Sequence, residues 1–184
     1  MNPLVDIKNA AIGWLDLLGA RPDAGARFNA TRAGLLTMLA TYVVLVLATR
    51  IIQSVALFGT PPGIEDLVVT LVVNALPLLA IVLVVYGTVV FLRTPVGVLG
   101  LLVPAGYALS IILAIGLPLS LFGGNMFAAA MQGILGYMLY RLARDIGKFS
   151  IGISAAFAIL TVVLLVAIPV GLYMLIQPDL PTPD

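Results

Sequence analysis

Four side chains able to hold charge or donate several hydrogen bonds stand in otherwise apolar stretches: Arg50, Gln53, Asn74 and Gln132. Arg50 lies inside the run 35–58 (LLTMLATYVVLVLATRIIQSVALF), which carries no other charge. A guanidinium presents five donors in a rigid fork, a geometry matched to phosphate and carboxylate groups. Charge is costly in an apolar run of membrane length, so such a residue marks a candidate site. At 1.5 Å per residue, Arg50 sits about 22 Å beyond Leu35 in a hydrocarbon core of about 30 Å. Asn74 and Gln132 fall at a similar height on their own segments, and Gln53 shares the helix face of Arg50, together with Ser54 at i+4. Converging, Arg50, Gln53, Asn74 and Gln132 form a polar intramembrane cluster for an anionic headgroup, a small anion or a partner helix.

The same residues have a plainer reading. Arg50 can snorkel to outer phosphates along its stem, or pair with Glu65 or Asp66 in the adjoining loop. Asn74 and Gln132 can bond between helices, typically for less than about 1–2 kcal/mol. On that reading Arg50→Leu leaves folding intact.

A second pattern concerns packing. Ala129 and Gly133 are spaced at i, i+4, with Gly136 following, and Ser150, Ser154 and Ala158 repeat at the same spacing. Small residues let helix backbones approach closely in lipid. Ala129, Gly133, Gly136, Ser150 and Ser154 are therefore a candidate helix-packing face. It makes the fourth apolar segment the central one, with an oligomer interface as the second reading. Pro77, Pro104, Pro118 and Pro169 should kink their helices, because proline removes a backbone bond.

Other chemistries lack their residues. The chain has no Cys and no His, which excludes disulfides, thiol nucleophiles and His-based acid–base work. No Asp or Glu falls within the apolar spans, and no glycine loop for phosphate is present. Neither a cofactor nor a metal site is expected, and the chain does not read as an enzyme. A net charge of +1 gives no reason to expect nucleic acid as a partner.

The elements that would position these residues follow from composition. Of 184 residues, 62% are hydrophobic and 9% charged, against about 45–50% apolar and about 25% charged in soluble domains. Mean hydropathy is +1.20. Such a chain cannot coat a globule with polar surface and reads as an integral membrane protein. Apolar spans are expected at about 35–58, 67–92, 96–118, 125–140 and 149–176, with the end of the third left open over PLSLFGGN (118–125). No cleavable signal precedes the first, which would then act as an uncleaved anchor. Residues 2–19 read as an amphipathic helix, capped by Asn2 with Pro3 in its first turn. Its apolar face is Leu4, Ile7, Ala11, Trp14, Leu15 and Leu18, with Asp6, Asn9, Gly13 and Asp16 facing away. It either lies in the membrane interface with Trp14 at headgroup level or packs on the bundle. The segment 20–33 (ARPDAGARFNATRA) is a turn-rich linker.

Of nine Lys and Arg, all except Arg50 fall before the first span, after the second or after the fourth. The positive-inside rule then puts the amino end in the cytoplasm and the carboxyl end outside. The expected fold is all-α: five transmembrane helices preceded by an amphipathic helix. Residues 1–33 form a cytoplasmic helix and linker, 34–177 the bundle and 178–184 a polar tail. Arg in preference to Lys, with heavy use of Ala, Gly, Leu and Val, points to a GC-rich bacterial gene and hence to a bacterial inner membrane.

The five-span topology with a cytoplasmic amino-terminal region resembles that of the Yip1-type membrane proteins. The stretch 103–113 (VPAGYALSIIL) is similar to the glycine–tyrosine region in that family's third span. The acidic motif before the first span, and the proline expected after the tyrosine, have no counterpart here. The resemblance implies a scaffold or trafficking-type role and carries no functional residues across. The expected function is a non-enzymatic accessory or scaffold subunit, with membrane lipids and other membrane proteins as partners. The alternative is a small channel or carrier for an anion or lipid, using the cluster around Arg50.

Overall fold

The structure is a computed structural model that describes residues 2–122 and 125–176; the polar tail 178–184 lies outside them. The described residues form six α-helices and one short 3-10 turn: α1 (Pro3–Leu18), the turn Ala24–Arg27, α2 (Arg32–Phe58), α3 (Ile64–Leu92), α4 (Val98–Phe122), α5 (Asn125–Asp145) and α6 (Ile151–Ile176). Four of these helices, over Arg32–Phe58, Ile64–Leu92, Val98–Gly116 and Ile151–Leu175, are long and apolar enough to cross a bilayer. The chain is an integral membrane protein by that measure. The expected fourth span is also a helix, α5, packed against α4 and α6. It is not one of the four: its sequence carries Gln132, Arg141, Arg144 and Asp145 within the helix.

Local chemistry accounts for the helix ends. Asn2 caps α1 by accepting from the Leu4 N–H at 3.1 Å, with Pro3 at the first position. Thr31 caps α2 by accepting from the Gly34 N–H at 3.2 Å. Gly59 ends α2 with φ at 72°, a left-handed conformation that glycine adopts without steric cost. Helix α3 begins at Ile64, so Glu65 and Asp66 stand in its first turn instead of in a loop. Acidic residues are favoured there by the positive end of the helix dipole.

At the centre is α4. It packs against α1, α2, α3 and α5, and every residue over 101–110 is buried. Where α2 crosses it, a Cβ at Gly106 would lie 2.2 Å from the Met38 sulfur; Met38 itself is fully enclosed. This glycine permits the close approach, in the manner of small residues at membrane-helix crossings. The stretch 101–110 is thus the most enclosed part of the described bundle.

The amino-terminal segment docks on one end of that bundle. Trp14 is 1% exposed, enclosed by the chain's own atoms. Its indole Nε1–H donates to the Pro104 carbonyl of α4 at 3.1 Å, and its ring meets Phe28 edge-to-face at a centroid distance of 5.9 Å. The face that α1 buries is Ala10, Gly13, Trp14 and Leu17, with Asp16 alongside, while Leu4 and Leu15 are exposed. The burial is rotated from the apolar face expected from helical spacing. Tertiary contact with the 3-10 turn accounts for this: a Cβ at Gly13 would lie 2.9 Å from the Arg27 Cβ. The same end receives the α5–α6 connection. Arg21 and Asp23 share a cavity with Asp145 and Lys148.

Candidate functional site

Between α2 and α3 lies a cleft of about 370 Å³, lined by Val46, Thr49, Arg50 and Gln53 of α2, Val69, Thr70, Val73 and Asn74 of α3, and Leu113 of α4. Three of the four residues expected to converge are therefore together: Arg50, Gln53 and Asn74. Gln132 is not with them. It lines a separate groove between α5 and α6 with Ala129, Gly133 and Gly136.

The charge in the cleft is loosely held. Arg50 Nη2 lies 3.7 Å from Asp66 Oδ1, with the two side chains 33% and 59% exposed. That separation is an ion pair but exceeds hydrogen-bond reach. Arg50 Nε is buried and has no hydrogen-bond partner among the described residues. A buried donor left unsatisfied is costly in a low-dielectric setting, so the guanidinium holds unspent donor capacity.

The far wall is better satisfied. Asn74 Nδ2 donates to the Thr70 carbonyl at 2.8 Å, and Thr70 Oγ1 donates to the Asp66 carbonyl at 2.6 Å. The Asn74 carbonyl accepts from the Tyr42 hydroxyl of α2 at 3.0 Å. Pro77 lies three residues on and has no N–H to give to the helix. The Tyr42 bond thus joins α2 to α3 beside the proline. Below it, α4 closes the cleft with Leu113.

The expected packing face divides. A Cβ at Gly136 would meet Val162 of α6 at 3.3 Å, so α5 and α6 are close there, whereas at Gly133 nothing lies within 4 Å. Ala129 and Gly133 are exposed in the groove. Ser154 is fully buried and its hydroxyl has no hydrogen-bond partner. Ser150 precedes α6, where its Oγ accepts from the Ile153 N–H at 3.4 Å as a cap.

Sequence reasoning missed one charged centre. Asp16, 7% exposed, accepts from Arg21 Nη1 at 3.0 Å and pairs with Arg27 Nε at 3.4 Å. Nearby, Asn29 Nδ2 donates to Asp6 at 3.0 Å and Thr31 Oγ1 to Asn29 at 2.8 Å. An acid followed by arginines across a turn-rich linker was the available signal. Arg21 and Arg27 both hold the Asp16 carboxylate. Among the described residues no group of His, Cys, Asp or Glu has the arrangement to hold a metal ion.

Together the fold and the cleft define an all-α integral membrane protein with one arginine-centred polar cleft. No protein-family model, curated protein or solved structure matches the chain.

Proposed function

We propose that this chain is a non-enzymatic accessory or scaffold subunit of a membrane, binding membrane lipids and partner proteins. The observation that carries the reading is the solid centre of the bundle. Ten consecutive residues of α4, 101–110, are all buried, and α2, α3 and α5 enclose them. A carrier needs a hydrated route past such a centre; a scaffold is served by a rigid one. Outward-facing Phe91, Tyr86 and Leu175 offer large apolar contacts. The likeness of 103–113 to the Yip1-type region fits the same role.

In this reading α5 is the fourth of five crossings, its stretch 125–140 before Arg141 being about 24 Å long at 1.5 Å per residue, most of a hydrocarbon core of about 30 Å. The amino-terminal segment and the α5–α6 connection then face the cytoplasm of a bacterial inner membrane. The support is the basic residues: Lys8, Arg21, Arg27 and Arg32 in the amino-terminal segment, Arg93 after α3, and Arg141, Arg144 and Lys148 at the end of α5 and just beyond it.

The test is a gentle-detergent pull-down of the tagged chain with mass spectrometry of whatever co-purifies. A stoichiometric protein partner is expected, and a chain that comes out alone counts against the reading. The second reading, a small anion or lipid carrier, rests on the Arg50 cleft. Solute uptake into proteoliposomes, lost on Arg50→Leu, would favour it.

A further inference from the structure

We propose that the cleft between α2 and α3 binds a phosphate group through Arg50, with the phosphodiester of an anionic phospholipid as its natural form. This deepens the lipid-binding side of the scaffold reading and rests on the chain being membrane-embedded.

Four observations converge. First, the cleft, about 370 Å³, is at the small end of ligand cavities and large enough for a headgroup. Second, its one cation is under-used: the Asp66 carboxylate stands 3.7 Å from Nη2, beyond hydrogen-bond reach, and the Arg50 side chain is one-third exposed. The guanidinium fork binds phosphate through two parallel N–H···O bonds, which Asp66 does not make at that distance. Third, the lining has two characters. Thr49, Thr70 and Asn74 supply polar groups beside Arg50, while Val69 and Val73 are lining residues more than half exposed on the outer side of α3. A polar floor beside an exposed apolar wall suits an amphiphile, headgroup inward and chains along the helix. Fourth, the depth is right. Arg50 lies about 12 Å before the end of α2 at Phe58 by helical rise, so its long stem reaches toward the headgroup layer.

Asp66 has a defined part in this arrangement. It is the carboxylate that neutralises Arg50 when no phosphate is present, and it must give way when one binds. Its exposed position in the first turn of α3 lets it turn outward. Removing its charge should therefore strengthen phosphate binding, whereas for an ion pair that serves only stability the same change brings no gain.

The experiment uses delipidated full-length protein in a neutral detergent, titrated with phosphatidylglycerol and, separately, with inorganic phosphate. Retained lipid is read by native mass spectrometry, and protection is read by thermal melting. Wild type is expected to keep one phosphatidylglycerol. Arg50→Gln should weaken retention by about tenfold, the loss of one charge-assisted contact, and Asp66→Asn should tighten it. Protection by phosphatidylglycerol but not by inorganic phosphate assigns the lipid as source. Protection by inorganic phosphate, lost in Arg50→Gln, keeps the phosphate site and assigns the free ion.

Equal retention by wild type and Arg50→Gln overturns the proposal, as does failure of wild type to respond to either probe. If Arg50→Gln does not fold, Asp66→Asn decides alone, with unchanged retention as the contrary result. A negative outcome here leaves the scaffold reading standing, since that is judged by a co-purifying protein and not by lipid.

Discussion

Asp16 and Arg50 are both charges set against apolar helices, and their surroundings differ. Asp16 is 7% exposed and is met by Arg21 at 3.0 Å and Arg27 at 3.4 Å, within a segment already fixed by Trp14 and by the Asp6–Asn29–Thr31 chain. Arg50 is half-buried, its Nε has no acceptor among the described residues, and its one acidic neighbour is 3.7 Å away. The first region uses charge to close a joint between α1, the linker and the bundle. The second leaves charge available. A stabilising cluster is satisfied from within the chain, whereas a binding cluster keeps capacity for something outside it.

If that contrast is correct, substitutions at the two places should separate stability from binding. The largest stability loss is expected for Trp14→Ala, which empties a fully buried site and removes the bond to Pro104; about 3–5 kcal/mol is expected, seen as a large drop in detergent melting temperature. Gly34→Ala follows, because the new Cβ would lie 1.9 Å from the Asn29 backbone carbonyl. Backbone cannot yield as a side chain does, so about 1–3 kcal/mol of overpacking cost is expected by the same measurement. Asp16→Ala should lose about 1–2 kcal/mol, discounted because both arginine partners are largely exposed. Arg50→Leu should stay within about 1 kcal/mol of wild type while abolishing phosphate-dependent protection. At the small end, Ala20→Gly should stabilise. Ala20 sits at φ 55° just after α1, a left-handed position that glycine occupies more cheaply, so a gain of about 0.5–1 kcal/mol is expected.

Hydropathy and length made the long helices legible in the sequence, because an apolar run of membrane length has few other stable forms. Boundaries moved where side chains and termini interact: α2 starts at Arg32 because Thr31 caps it, and α3 starts at Ile64 with its acids in the first turn. Height along a helix was legible too, which is why Arg50 and Asn74 meet across α2 and α3. Azimuth was not. Gln132 lies on α5, which contacts α6 and α4 instead of the cleft. The burial of α1 was hidden for a related reason. Its side toward Phe28 and α4 is chosen by tertiary fit at Gly13 and by the Trp14–Pro104 bond, neither of which leaves a periodic mark. Small residues at i, i+4 likewise showed where helices can approach, and only some of them do: Gly136 meets α6, Gly133 meets nothing, and Gly106, in a separate pair with Ser110, makes the tighter crossing.

The central structural claim is that the amino-terminal helix is part of the bundle and not a guest of the membrane interface. Trp14 is the chain's single tryptophan, so its fluorescence in proteoliposomes reports that claim without mutation. Blue-shifted emission is expected, with little quenching by aqueous acrylamide and little by bromine-labelled lipids, since protein atoms surround the ring on all sides. Strong quenching by the brominated lipids would place Trp14 among the headgroups and contradict the docking of α1 on α4.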